Sequence, residues 1–167
     1  METIIRPAVI EDLTSILEIV NHAILHTTAI YDYDERTLAE QLIWFEEKQA
    51  SNFPVVVAES DNKVIGFGTY GAFRVKIGYR FTVEHSVYVN DKAKGKGIGK
   101  LLLQKLIDLA KEQNHHSMIG VIDASNSGSI AFHKKIGFQE IGVLKEAGYK
   151  FDKWLDVSLM QLFLSGQ

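Results

Sequence analysis

One stretch constrains this chain more than any other. Phe81 to Val89 carries Val83, Val87 and Val89 at strand spacing, and the chain then runs through Asn90-Asp91-Lys92-Ala93-Lys94-Gly95-Lys96-Gly97-Ile98-Gly99-Lys100 into the apolar-periodic segment Leu101–Ala110. A strand that feeds a three-glycine turn and then a helix leaves peptide N–H groups unshielded by side chains, because glycine has no Cβ. The helix start adds about half a unit of positive charge. Together these form an anion site suited to phosphate, and Lys94, Lys96 and Lys100 reinforce its sign.

The rest of the pattern places that turn inside a mixed sheet. Thr3–Arg6 reads as a short strand ended by Pro7. Leu13, Ile16, Leu17, Val20 and Ile24 form one helical stripe within Ile10–Leu25. A second helix starts at Thr37, where Thr37-Leu38-Ala39-Glu40 is a capping box, with Leu38, Leu42 and Phe45 as its apolar face. Pro54–Ala58 and Val64–Ala72 flank the Asp61-Asn62 turn as a hairpin. Met118–Ile122 is wholly apolar and is expected to be a central strand covered on both faces. Ser127–Ile136 is a short helix stopped by Gly137, and Phe138–Val143 and Trp154–Phe163 are the last strands. The order β-α-α-β-β-β-α-β-α-β-β predicts an α/β (α+β) fold with helices on a mixed sheet. Length predicts a single domain over 1–167.

Composition removes whole classes. The chain has no Cys, so disulfides, thiol nucleophiles and Cys-ligated metals are excluded. That fits a reducing, cytoplasmic setting. Net charge is −3, which disfavours nucleic acid as a partner. Met1-Glu2-Thr3 lacks the basic start of a signal peptide, and no run reaches the ~18 apolar residues of a membrane span. His22 and His26 lie four apart on a helix, but no third ligand follows at useful spacing, so no metal is expected. His115-His116 falls in a turn and is expected to face water.

Three ligand readings compete at the turn. A Walker loop requires G-K-[ST], whereas Leu101 follows Gly99-Lys100. The dinucleotide fingerprint G-x-G-x-x-G has its third glycine one residue later than Gly99. A tight turn without any ligand is the third. Lys94-Gly95-Lys96-Gly97-Ile98-Gly99 resembles the acetyl-CoA loop [QR]-x-x-G-x-[GA] of the GNAT N-acetyltransferase superfamily, with Lys in the first place. Asn126…Ser129-Ile130-Ala131-Phe132-His133-Lys134-Lys135-Ile136-Gly137-Phe138 resembles the family's downstream signature. Thr82-Val83-Glu84-His85-Ser86-Val87-Tyr88-Val89 and Gly148–Val157 are similar to the phosphinothricin/methionine sulfoximine acetyltransferase branch, as are Asn21-His22 and Trp44-Phe45.

The resemblance implies a GNAT fold, with a mostly antiparallel sheet and a splayed pair of strands that binds acetyl-CoA. It implies that Val87, Tyr88 and Val89 serve the pantetheine arm, with an N–H near Tyr88 for the oxyanion. Lys94, Gly95, Lys96, Gly97, Ile98, Gly99 and Lys100 would hold the diphosphate, and Asn126, Ser129 and Lys135 would complete the cofactor site. Glu84 is the candidate general base and His133 the candidate general acid. A surface glutamate and a core-covering histidine are the plainer alternatives. Arg74, Val75 and Lys76, with Glu84, His85 and Ser86, would bind the amine substrate, Arg74 and Lys76 gripping a carboxylate.

The expected reaction is direct acetyl transfer to the α-amine of phosphinothricin, methionine sulfoximine or methionine sulfone. A protein or peptide N-acetyltransferase and a non-catalytic acyl-CoA sensor are the rivals. Val157–Leu164 is apolar on both faces and is expected to be an exposed strand buried in a homodimer.

Overall fold

The computed structural model describes residues 3–164; Met1 and Glu2, part of the leader reading, lie outside them. The strands are β1 Ile4–Pro7, β2 Val55–Ser60, β3 Lys63–Ala72, β4 Thr82–Val89, β5 Ser117–Asp123, β6 Gln139–Lys150 and β7 Lys153–Phe163. The helices are α1 Leu13–His26, α2 Leu38–Ala50, α3 Ile98–Glu112 and α4 Ser127–Ile136. The strands form one sheet in the order β1-β2-β3-β4-β5-β7-β6. Each neighbouring pair is antiparallel except β4 and β5.

Local chemistry sets the ends of the elements. Thr37 Oγ1 accepts from the Glu40 N–H at 3.2 Å and Glu40 Oε2 accepts from the Thr37 N–H at 2.7 Å, closing the capping box of α2. Gly137, at φ 111°, ends α4 in a conformation that costs a Cβ-bearing residue energy. Asp61 and Asn62, both at positive φ, turn β2 into β3.

Each sheet face has its own core. Leu102, Leu103 and Leu106 of α3 pack with Met118 and Met160 on one face. Leu13, Ile16, Val20 and Ile24 of α1 pack with Phe45 and Phe67 on the other. α1 is preceded by one tighter turn, Ile10–Asp12, whose Asp12 carboxylate takes two hydrogen bonds from Arg6 at 2.7 and 2.9 Å.

Four expectations need correction. On α2, Leu38 is exposed and Gln41 is buried, because the inward stripe runs through Gln41 and Phe45. Phe138 sits in the core ahead of β6, and β6 extends to Lys150 rather than stopping at Val143. β7 is no edge strand: it is hydrogen-bonded between β5 and β6, with Met160 buried on one face and Phe163 exposed on the other. His115 is half-buried against the Tyr70 ring, 5.7 Å between centroids, and only His116 of that turn is exposed.

Candidate active site

The site begins where two parallel strands part. β4 and β5 pair only over Thr82–Glu84 and Ser117–Ile119, yet β4 continues to Val89 and β5 to Asp123. In an antiparallel ladder main-chain groups alternate between the two sides. Thr82 O accepts from the Phe73 N–H and the Asn90 N–H donates to Ile65 O, so even-numbered residues of β4 face β3. Odd-numbered residues face β5, as Phe81 O does in accepting from the His116 N–H at 2.8 Å. Past Glu84 no strand meets them, and Val87 and Val89 point N–H and C=O groups into the gap. Tyr88's own N–H lies on the β3 side, so the gap-facing amides are those of its two neighbours.

Two adjoining clefts follow the gap. One, of about 210 Å³, is lined by Glu84, His85, Ser86 and His133, with Tyr31 and Asp123. The other, of about 580 Å³, runs past Val89, Asn90 and Asp91 to Lys94, where the glycine turn starts. Thr28, Ala29, Val87, Tyr88, Asn126 and Ser129 line both.

The turn itself is open. Gly95 and Gly97 have φ of 76° and 80°, and a Cβ at either would meet nothing within 4 Å. Glycine is therefore required by backbone conformation, and space for a ligand lies above it. Among the described residues, the N–H groups of residues 95–99 donate to no protein acceptor; the first helical bonds are Lys100 and Leu101 to Gly97 O, at 3.0 and 3.2 Å. Five consecutive free amides at a helix start fit a diphosphate. Lys94 is paired with Asp91, which also accepts from His22 Nε2 at 2.7 Å.

Glu84 and His133 reach the gap from opposite faces of the sheet. Glu84 shares its face with Tyr88, whose ring packs 5.3 Å from Phe67. Burial raises the Glu84 carboxyl above its ordinary range, opposed by the positive charges of Arg74 and Lys48. Lys48, on α2, donates to Tyr70 O at 2.8 Å, and burial brings its pKa down to about 8. On the other face His85 is buried and stacks on His133, with 5.0 Å between ring centroids. Asn126 caps α4, its Oδ1 accepting from the Ser129 N–H at 3.0 Å, and the residue lines both clefts. Burial works to raise the Asp123 carboxyl, but hydrogen bonds from Thr28 and Ser125 hold it below its ordinary value.

Most sequence-predicted residues converge here, and some do not. Arg74, Val75 and Lys76 line neither cleft; they sit on an exposed loop, with Arg74 close enough to Glu84 to act on its charge. Lys135 is exposed on α4 and lines neither cleft. Thr28, Tyr31, Asp123 and Lys48 escaped the sequence reading. Only the fold pairs Tyr31 with Gly148, where a Cβ would overlap its ring. Among the described residues, no three His, Asp or Glu side chains cluster as metal ligands, and no helix is long and apolar enough to cross a membrane.

Comparison with known proteins agrees with this geometry. The chain is 42% identical over 165 residues to the L-methionine sulfoximine/L-methionine sulfone acetyltransferase of Pseudomonas aeruginosa, covering 98% of this chain and 96% of that protein. The crystal structure of an N-acetyltransferase from Staphylococcus aureus Mu50 superposes with a TM-score of 0.97 at 45% identity, covering 99% of this chain and all of that one. A GNAT superfamily phosphinothricin acetyltransferase from Sinorhizobium meliloti, solved in complex with AcCoA, superposes at 0.95 with 38% identity, covering 99% and 90%. The family model for the acetyltransferase (GNAT) domain matches residues 5–159, so the parted strands and amide-lined turn are those of a member of the GNAT acetyltransferase family.

Proposed function

We propose that this protein uses acetyl-CoA to acetylate the α-amine of a small amino-acid-like substrate of the methionine sulfoximine, methionine sulfone or phosphinothricin type, by direct transfer in a ternary complex. The observation that carries this reading is the continuous track from five free amides at residues 95–99, along the exposed main chain of Val87 and Val89, to the Glu84 carboxylate. Acetyl-CoA supplies the acyl group as a thioester. The amides of Gly95, Lys96, Gly97, Ile98 and Gly99 hold its diphosphate, with Lys94 and Lys100 adding charge. Asn126, Ser129 and the main chain of Val87 and Val89 hold the pantetheine arm. Such positioning supplies ~7–11 kcal/mol of the barrier reduction in well-oriented reactions.

Glu84 accepts the ammonium proton, a task helped by the burial that raises its pKa. An amide N–H beside Tyr88 donates to the oxygen on which negative charge develops, and His133 supplies the proton that the leaving sulfur takes. From the exposed loop Arg74 and Lys76 meet the substrate carboxylate, while His85 and Ser86 line its pocket. A homodimer accounts for Val121, Leu144 and Phe163, which share the face of β5, β7 and β6 opposite Met118 and Met160 and are 44%, 50% and 47% exposed. Light scattering at twice the chain mass supports it; the mass of one chain contradicts it.

A thiol-release assay with acetyl-CoA and a panel of amino acids, their sulfone and phosphinate analogues, and peptides tests the substrate class. Faster turnover of the small amino acids is expected; turnover of peptides alone would contradict the reading. Glu84→Gln separates an enzyme from a sensor. We expect kcat to fall about 10²–10⁴-fold with coenzyme A affinity unchanged.

A further inference from the structure

His85 and His133 form a pair whose protons can be placed from geometry alone. His133 Nδ1 lies 2.7 Å from Ser129 O, the carbonyl one turn earlier on α4. A carbonyl only accepts, so Nδ1 carries the hydrogen. His133 Nε2 is then a lone pair in the neutral ring, and it lies 3.1 Å from His85 Nε2. Two lone pairs cannot face each other at that distance, so His85 must carry its hydrogen on Nε2 and donate it to His133. Every other nitrogen position follows: His85 Nδ1 is left bare, and it is buried without a partner.

The surroundings hold the pair in this arrangement. Gly120 lies beneath it, and a Cβ there would come within 3.0 Å of His85 Nε2. Phe138 packs edge-on against both rings, at 5.5 and 5.2 Å. Phe132 closes the side of His133 at 5.1 Å. The polar groups that face the pair are Ser129 of α4, through its carbonyl and, at 3.5 Å, its hydroxyl; no carboxylate or cation contacts either ring among the described residues. Burial beside a second imidazole brings the His85 pKa down to about 3, and burial lowers that of His133. His85 thus remains a neutral donor throughout the working pH range.

We infer that His85 is a positioning residue: its Nε2–H holds His133 as the neutral Nδ1–H tautomer with the Nε2 lone pair occupied, so His133 serves as an acid only after Nε2 has taken up a proton and that hydrogen bond has opened. A lone pair that already accepts a hydrogen bond is a weaker base, so His85 sets the pH at which His133 gains a proton. This inference rests on the acid role of His133 under the proposed function only for its catalytic consequence. The tautomer is a property of the resting protein.

The test is two-dimensional ¹H–¹⁵N NMR of the histidine rings in the free full-length protein, titrated with acid, beside pH profiles of kcat. The wild-type spectrum should show neutral His133 protonated on Nδ1 and His85 on Nε2. His85→Phe keeps a ring in the site and removes the donor; His133 should then titrate about one pH unit higher, with the matching limb of the kcat profile moving by the same amount. His85→Gln, which restores an N–H donor, should return most of that shift. An Nε2–H tautomer of wild-type His133, or a titration unmoved by His85→Phe, overturns the inference. A His133→Ala enzyme with undiminished kcat would overturn the acid role instead and leave the spectrum as the judge of the pair.

Discussion

At the scale of single residues, Glu84 is governed by opposing influences. Burial raises its pKa, and Arg74 and Lys48 pull it back. A base works only when ionised, so activity disappears as pH falls through the Glu84 pKa. Removing a cation that favours the carboxylate lets that pKa climb. Lys48→Met should therefore move the acid limb of the kcat/KM profile upward by about one unit, with the plateau rate recovered at higher pH. A limb that stays put or moves to lower pH would show that Lys48 does not act on Glu84. Sequence showed Glu84 through the Thr82–Val89 context, but Lys48 lies 36 positions away on another helix, and only the packing of α2 on the sheet brings the two charges together.

At the scale of elements, the glycine turn and the hairpin tip make separable predictions. Gly97 has φ 80°, where a Cβ costs about 1–2 kcal/mol. Gly97→Ala should weaken coenzyme A binding about tenfold by calorimetry, because the turn relaxes away from the shape that directs its amides. At the β6–β7 hairpin, buried Lys150 donates to Ile24 O at 2.6 Å, Thr27 O at 2.8 Å and Ile30 O, tying the hairpin to the end of α1 and the loop that bears Thr28 and Tyr31. Lys150→Met leaves those carbonyls without a donor and should cost about 2–4 kcal/mol in denaturant unfolding. An unchanged midpoint would contradict the tether.

The same scale shows how far local sequence reaches. Caps, glycine stops and the 3.6-residue stripes of α1 and α3 are near-neighbour effects and were legible. The stripe of α2 was misplaced because burial of Gln41 depends on where the helix docks, not on its own hydrophobicity. Tyr31, Thr28 and Asp123 sit on loops or strand ends, where periodicity is silent.

For the whole molecule, the order of elements was legible and the order of strands was not. β7 is last among the described strands but lies between β5 and β6. Its place between β5 and β6 rests on long-range pairing, which the apolar pattern of its two faces does not encode. The parting of β4 and β5 is likewise a property of the assembled sheet: β4 continues along β3 and β5 along β7, and the gap arises because their own pairing stops at Glu84 and Ile119. That gap joins the glycine turn on one side to Glu84 and the His85–His133 pair on the other. The most direct test of this arrangement is an amide ¹H–¹⁵N titration of the protein with acetyl-CoA. Saturable shifts should concentrate at residues 95–99 and at Val87 and Val89; a saturated complex that leaves those amides unmoved would contradict it.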